Sequence, residues 1–201
     1  MRVSRPDAFP DTHLYIIPRA FRSFYGHLLR RDRAKRIRQV GYRRNTPIKP
    51  VSLALLPGYE FHRLWGSDSI PELPSDGTPP PQPRYFPPKG GFRFCFFTIP
   101  PDTATSVDPV GIASALEEIQ QKLPGMMEVL ELDHPGMHTT DTVDFDVIVC
   151  GEVYLELDDG AEVLLKAGDC VIQNGTRHAW HNRSSEKCVI AVALVGAARK
   201  P

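Results

Sequence analysis

Along the last third of the chain, apolar and polar residues alternate in short runs separated by tight turn signals. Alternation with period two marks strands with one buried face. Thr142–Cys150 reads this way, and so do Glu152–Leu157, Glu162–Lys166 and Cys170–Gln173. Asp158-Asp159-Gly160 predicts a hairpin turn, and Gly168-Asp169 and Asn174-Gly175 predict two more. His178–Asn182 and the apolar run Cys188–Val195 complete the series, with Met127–Leu132 as a further strand ahead of it. Evenly spaced strands joined by tight turns predict an all-β fold, an antiparallel sandwich or barrel.

The upstream half is less regular. Residues 51–65 predict one or two strands broken at Pro57-Gly58, and Gly91–Ile99, rich in Phe, predicts another. Between them, Pro71 to Pro88 holds 8 of the chain's 20 prolines. Proline has no N–H for a ladder or a helix, so this stretch is expected as an extended surface strap, a candidate lid over the barrel mouth. Ile112, Leu116, Ile119 and Leu123 recur at helical spacing after Asp108-Pro109 and predict one short helix.

The 201 residues suit one domain with an extension. The expected organisation is a basic extension over 1–49, strands, strap and helix over 50–124, and the barrel core over 125–201. Lys and Arg number 24, and so do Asp and Glu. A net charge of zero argues against a whole-protein grip on nucleic acid or an anionic membrane. The charge is nevertheless uneven, because residues 1–49 hold 13 basic and 3 acidic residues. That segment reads as a poorly ordered basic extension or a basic helix over 19–44, with a mitochondrial presequence as the alternative. No apolar run reaches the ~18 residues of a membrane span. Cys95, Cys150, Cys170 and Cys188 are scattered without a C-x-x-C pair, which points to a reducing, cytoplasmic setting.

Candidate chemistry concentrates at His138-Thr139-Thr140-Asp141-Thr142-Val143-Asp144. Strict alternation puts His138, Thr140, Thr142 and Asp144 on one face and Val143, Phe145 and Val147 on the other. A His and a carboxylate on one face are two candidate ligands for a divalent metal, and His178, after the Asn174-Gly175 turn, is the candidate third. Two His and one carboxylate leave coordination positions open for substrate or oxygen. Trp180 shares the His178 face and either walls a pocket or packs in the core. His134 and His181 fall outside the ligand pattern. Glu152 and Glu156 suit an outward-facing strand.

The succession Gly136, His138, Thr140, Asp144, Gly151 resembles the first motif of the cupin superfamily, and Gly168, Asn174, His178, Asn182 resembles the second. More narrowly, the runs around His138 and His178 are similar to single-domain cupin oxidoreductases associated with polyketide biosynthesis. The resemblance implies a jelly-roll β-barrel with a metal centre in its mouth. It assigns metal binding to His138, Asp144 and His178. Thr140 stands where a second His is usual, Asp144 where Glu is usual, and Asn174 where Pro is usual. Thr140 and Asp144 are then candidate catalytic groups, and Thr140, Thr142 and Trp180 candidate substrate contacts. The implied cofactor is Fe(II), with Zn, Mn or Ni as alternatives, or none.

The function expected is a metal-dependent cupin enzyme on a small, polyketide-derived or aromatic metabolite. It would be an oxidoreductase, or a dehydratase, decarboxylase or isomerase. The alternative is a metal-free cupin that binds a ligand or assists a partner enzyme. The expected partner is a small-molecule substrate, without nucleic acid or membrane. A homodimer through the Phe-rich strand is also expected by analogy.

Overall fold

The computed structural model describes residues 15–17, 49–75, 78–104 and 111–200. Its elements run β1 (Tyr15–Ile17), β2 (Val51–Ser52), β3 (Glu60–Ser67), β4 (Phe92–Ile99), α1 (Ile112–Lys122), β5 (Thr142–Cys150), β6 (Glu152–Leu157), β7 (Glu162–Lys166), β8 (Cys170–Asn174), β9 (His178–His181) and β10 (Cys188–Gly196). One sheet has the order β1-β8-β5-β10-β4-β3-β2 and the other β7-β6-β9. The pairings within both are antiparallel. This is the all-β, antiparallel barrel that the alternating runs predict, with one short helix added. Because β4 pairs with β10, residues 50–124 and 125–201 share a sheet. Apart from β1 and residue 49, the basic extension, its helix and the presequence alternative lie outside the described residues, as does the Asp108-Pro109 helix start.

Two apolar clusters hold the barrel. Ile99, Ile148, Val153, Leu155, Leu157, Leu165, Val171, Cys188 and Ile190 fill the space between the sheets. Leu53, Phe61, Tyr85, Ile119, Leu123 and Met126 bind α1 to the larger sheet. Burial of such side chains contributes about 1.5–3 kcal/mol each. Within the second cluster Phe61 stacks on Phe97 at a centroid distance of 4.9 Å and meets Tyr85 edge-on at 5.6 Å. Met127–Leu132 is not a strand. The Val129 and Leu130 N–H groups donate to Met126 O (3.2 and 3.3 Å), so local turns consume the donors a ladder would need. Met127, Val129 and Leu130 are apolar because they pack against this second cluster.

A carboxylate ties α1 to the chain before it. Glu118 accepts the Ala54 N–H at 2.7 Å, the Lys122 ammonium at 2.7 Å and the Leu55 N–H at 3.0 Å. Led by the Ala54 bond, these hold its carboxyl at about 2, below the ordinary 4.5. A depressed carboxyl stabilises the fold above its unfolded pKa and loses that contribution as pH falls toward the folded value. Glu118→Ala should therefore cost about 1–2 kcal/mol at neutral pH after allowance for solvent screening. The deficit relative to the parent should shrink between pH ~4.5 and ~2. Urea melts of both proteins across that range check it, and a pH-independent difference would contradict it.

The proline-rich strap is wired into the fold. The guanidinium of Arg93, 2 % exposed, donates to Ser67 O, Phe92 O, Arg84 O and the Asp68 carboxylate. Arg63 donates to Gln82 O and Arg84 O, and Tyr85 N–H donates to Pro124 O at 2.8 Å. Further along, Gly90 N–H donates to Gly196 O at 3.0 Å and Gly196 N–H to Gly91 O at 2.8 Å, closing the strap onto the end of β10. At the β5–β6 turn Gly151 has φ +78°, and an added Cβ would fall 2.5 Å from Lys187 O, so glycine is required there twice over.

Candidate functional site

β5 carries its polar residues inward. Thr142, Asp144, Asp146 and Ile148 are buried, while Phe145 and Val147 are exposed. The alternation is the expected one, but its polarity is inverted for a strand in a barrel wall. Buried acids are costly, so their presence on the inner face marks a site.

Two of them, Asp144 and Asp146, wall a cavity of about 540 Å³ in the barrel. Its apolar lining includes Tyr59, Phe61, Tyr85, Phe97 and the inner face of α1, and its polar lining includes His138, Asp144, Asp146, Gln173 and His178, with Trp180 also in the wall. Trp180 thus walls the pocket, its ring edge-on to His178 at 5.7 Å. His181, expected outside the site, also lines the cavity, and its Nε2 pairs with Glu156 at 2.6 Å.

Backbone pairing sets the two imidazoles together. His138 and His178 exchange N–H···O=C bonds of 2.9 and 3.0 Å across an isolated bridge, which brings their ring centroids to 4.2 Å. His138 Nδ1 lies 3.0 Å from Gly136 O, and His178 Nδ1 lies 2.8 Å from Thr176 O. A carbonyl only accepts, so each Nδ1 carries the proton and each Nε2 keeps a lone pair. Burial lowers both pKa values; for His178, the neighbouring His138 adds to burial and takes it to about 3. Both rings are therefore neutral at physiological pH.

The carboxyls shift the opposite way. Burial raises Asp144 to about 7, with the neighbouring Thr142 hydroxyl opposing the shift in part. Burial and the nearby Asp144 charge push Asp146 well above the usual carboxylate range. Asp144 Oδ1 has no hydrogen-bond partner, and neither does Oε1 or Nε2 of Gln173. Gln173 approaches Asp146 closely enough to offset part of its shift, without the geometry of a hydrogen bond. Asp144 and Gln173 face each other across β5 and β8.

Thr140 and Thr142 are each 2 % exposed, and Thr142 Oγ1 donates to Thr140 Oγ1 at 2.7 Å. Neither is among the residues walling the cavity. His138, Asp144 and His178 all reach the cavity, yet their donor atoms do not gather within 4.8 Å of one another. Among the described residues the one such group is Glu131, Asp133 and His134, where Glu131 is already held by both oxygens on Arg177 at 2.7 and 2.6 Å. As arranged, the three expected ligands do not close a three-donor site for an ion.

Asp146 and Gln173 are buried polar residues of the cavity wall that the sequence reading did not single out. Asp146 was legible as the next inward position after Asp144, at period two. Gln173 carried no signal until β8 was registered on β5.

No family model matches the chain. It is 45% identical over 77 residues to oryzines biosynthesis cluster protein J of Aspergillus oryzae, a match covering 36% of this chain and 43% of that protein. It is 48% identical over 67 residues to phomopsin biosynthesis cluster protein D of Diaporthe leptostromiformis, covering 31% and 35%. A cupin-domain-containing oxidoreductase of Hypocrea virens, virC, is 35% identical over 46 residues, covering 23% and 24%. The matches thus span less than half the length of these curated relatives. Among solved structures, a cupin 2 conserved barrel domain protein from Salinispora arenicola is 16% identical with a TM-score of 0.39, covering 77% of this chain and 92% of that one. AerE from Microcystis aeruginosa is 15% identical with a TM-score of 0.40, covering 76% and 48%. Among the described residues, no helix is long and apolar enough to cross a membrane.

Proposed function

We propose that this chain, which resembles the cupins of secondary-metabolite biosynthesis, is an enzyme that moves a proton on a small, largely apolar organic molecule held in its barrel. The observation that carries this reading is Asp144, an acid buried in the wall of a largely apolar cavity with its Oδ1 unpartnered, and burial there raises its carboxyl to about 7. A group half-ionised near neutrality can both take and give a proton, which is what isomerisation or dehydration next to a carbonyl requires. Asp144 acts as the acid–base group. The free Nε2 lone pairs of His138 and His178 accept hydrogen bonds from the substrate. The aromatic walls remove its body from water. Biosynthesis-cluster relatives support a secondary-metabolite substrate.

The test incubates the purified protein in deuterated water with metabolite extract from a strain lacking the gene. The reading predicts either an isomer of its precursor carrying one new carbon-bound deuterium or a product lighter than its precursor by one water, and no conversion by Asp144→Asn. Undiminished conversion by Asp144→Asn would sink it.

The second reading is a metal-dependent cupin, an oxidoreductase or a lyase, on His138, Asp144 and His178. It is favoured by the two Nδ1–carbonyl bonds, which fix the tautomer that presents Nε2 to an ion. Against it stands the spread of the three donors, so no step here runs through a metal. The expected outcome is substoichiometric Fe, Mn, Zn and Ni in protein purified without a tag, and activity that survives chelation. One equivalent of metal that disappears in His138→Ala would transfer the assignment to the second reading.

A further inference from the structure

Gln173 is among the least exposed polar residues of the chain at 1 %, it lines the cavity, and both of its amide atoms lack partners. An unmade hydrogen bond on a buried group is costly, and this side chain leaves both a donor and an acceptor unmade. Asp144 Oδ1, unpartnered as well, lies on the residue paired with it across the strands. Three orphaned polar atoms thus sit on neighbouring residues in the wall of a largely apolar chamber. An interior selected only for stability would fill these positions with aliphatic side chains.

Resting on the reading of this cavity as the substrate site, we infer that its ligand is an uncharged molecule presenting a carbonyl beside an N–H, the edge of an amide or lactam, and that Gln173 is the residue that reads it. Gln173 Nε2 donates to the ligand carbonyl, and Oε1 accepts from the ligand N–H. Asp144 lies alongside as a further acceptor. Charge sorts the ligand in the same direction. Among the described residues, the cavity walls include Asp102, Glu131, Asp144 and Asp146 but no Lys or Arg, so a carboxylate or phosphate meets no counter-charge. The body of the ligand is planar and apolar to match Tyr59, Phe61 and Phe97.

Calorimetric titration with three ring compounds of similar size tests the inference. Carbostyril offers the lactam edge, N-methylcarbostyril lacks its donor, and naphthoate replaces it by an anion. Carbostyril should bind about tenfold more tightly than either of the others, the equivalent of one good hydrogen bond. Gln173→Leu, or Gln173→Met if the branched side chain packs badly, should bring carbostyril down to the affinity of N-methylcarbostyril. Either variant should keep the melting temperature close to the parent's, because the amide makes no hydrogen bond of good geometry and loses only its approach to Asp146. A residue that merely supported the barrel would lower the melting temperature and leave the preference intact. Equal affinity of the parent for carbostyril and N-methylcarbostyril would overturn the inference while leaving the apolar cavity standing. Stronger binding of naphthoate would overturn it too. Absence of binding by all three would overturn both the inference and the reading on which it rests.

Discussion

Asp144→Asn is expected to make the protein more stable above neutral pH while removing its activity. In the folded state the carboxyl titrates at about 7 rather than the ordinary 3.8. Between these values the folded protein holds a proton that the unfolded chain has released. Stability therefore falls as pH rises through this window, and the full penalty is present above pH ~7. A tenfold change in a proton-binding equilibrium is worth about 1.4 kcal/mol, so the penalty is of order 2–4 kcal/mol after allowance for relaxation of the site. Asparagine is nearly the same shape and does not ionise. Denaturant melts of parent and variant should coincide to within about 1 kcal/mol at pH ~4 and separate by roughly 2–4 kcal/mol at pH ~8, with the variant the more stable. The opposite sign would mean that Asp144 is a stabilising, ionised group. A site that costs stability and carries activity is the pattern expected of acid–base machinery held in an apolar wall.

Gly196→Ala should be among the most damaging single substitutions in the barrel. A Cβ at this position would lie 1.8 Å from Pro88 O and 2.6 Å from Pro88 C. Both are backbone atoms, so no rotamer change relieves the clash. The strap must leave β10, which also breaks the paired bonds between Gly196 and Gly90-Gly91. The expected cost is about 4 kcal/mol or more. Tyr85 and Phe86 wall the cavity a few residues upstream, so ligand affinity should fall with stability. The strap is then a packing element as much as a lid. A variant within about 1 kcal/mol of the parent would show that the strap is not seated as described.

The downstream strands are legible in the sequence almost to the residue because local alternation and turn chemistry determine them. The alternating runs Thr142–Cys150, Glu152–Leu157 and Glu162–Lys166 coincide with the strands at both ends. Met127–Leu132 misleads because an apolar run looks the same whether it feeds a ladder or packs turns against a helix. His138 and His178 are legible as a pair through motif spacing, and the isolated bridge places their rings in contact. The distance of Asp144 from them is not legible, since alternation gives a face but no separation. The aromatic walls are invisible as a group. Phe61 and Phe97 meet only through the β3–β4 pairing, Tyr59 lies just before β3, and Tyr85 is brought in by the strap, whose Tyr85 N–H donates to Pro124 O.

The most direct test of the account is a carbon NMR titration of the side-chain carboxyls in the intact protein, with the Asp144 resonance identified by its loss in Asp144→Asn. The account predicts a midpoint of about 7 for Asp144. A midpoint at or below the ordinary carboxylate value of about 4 would contradict it, because Asp144 would then be ionised throughout and could not exchange a proton near neutrality.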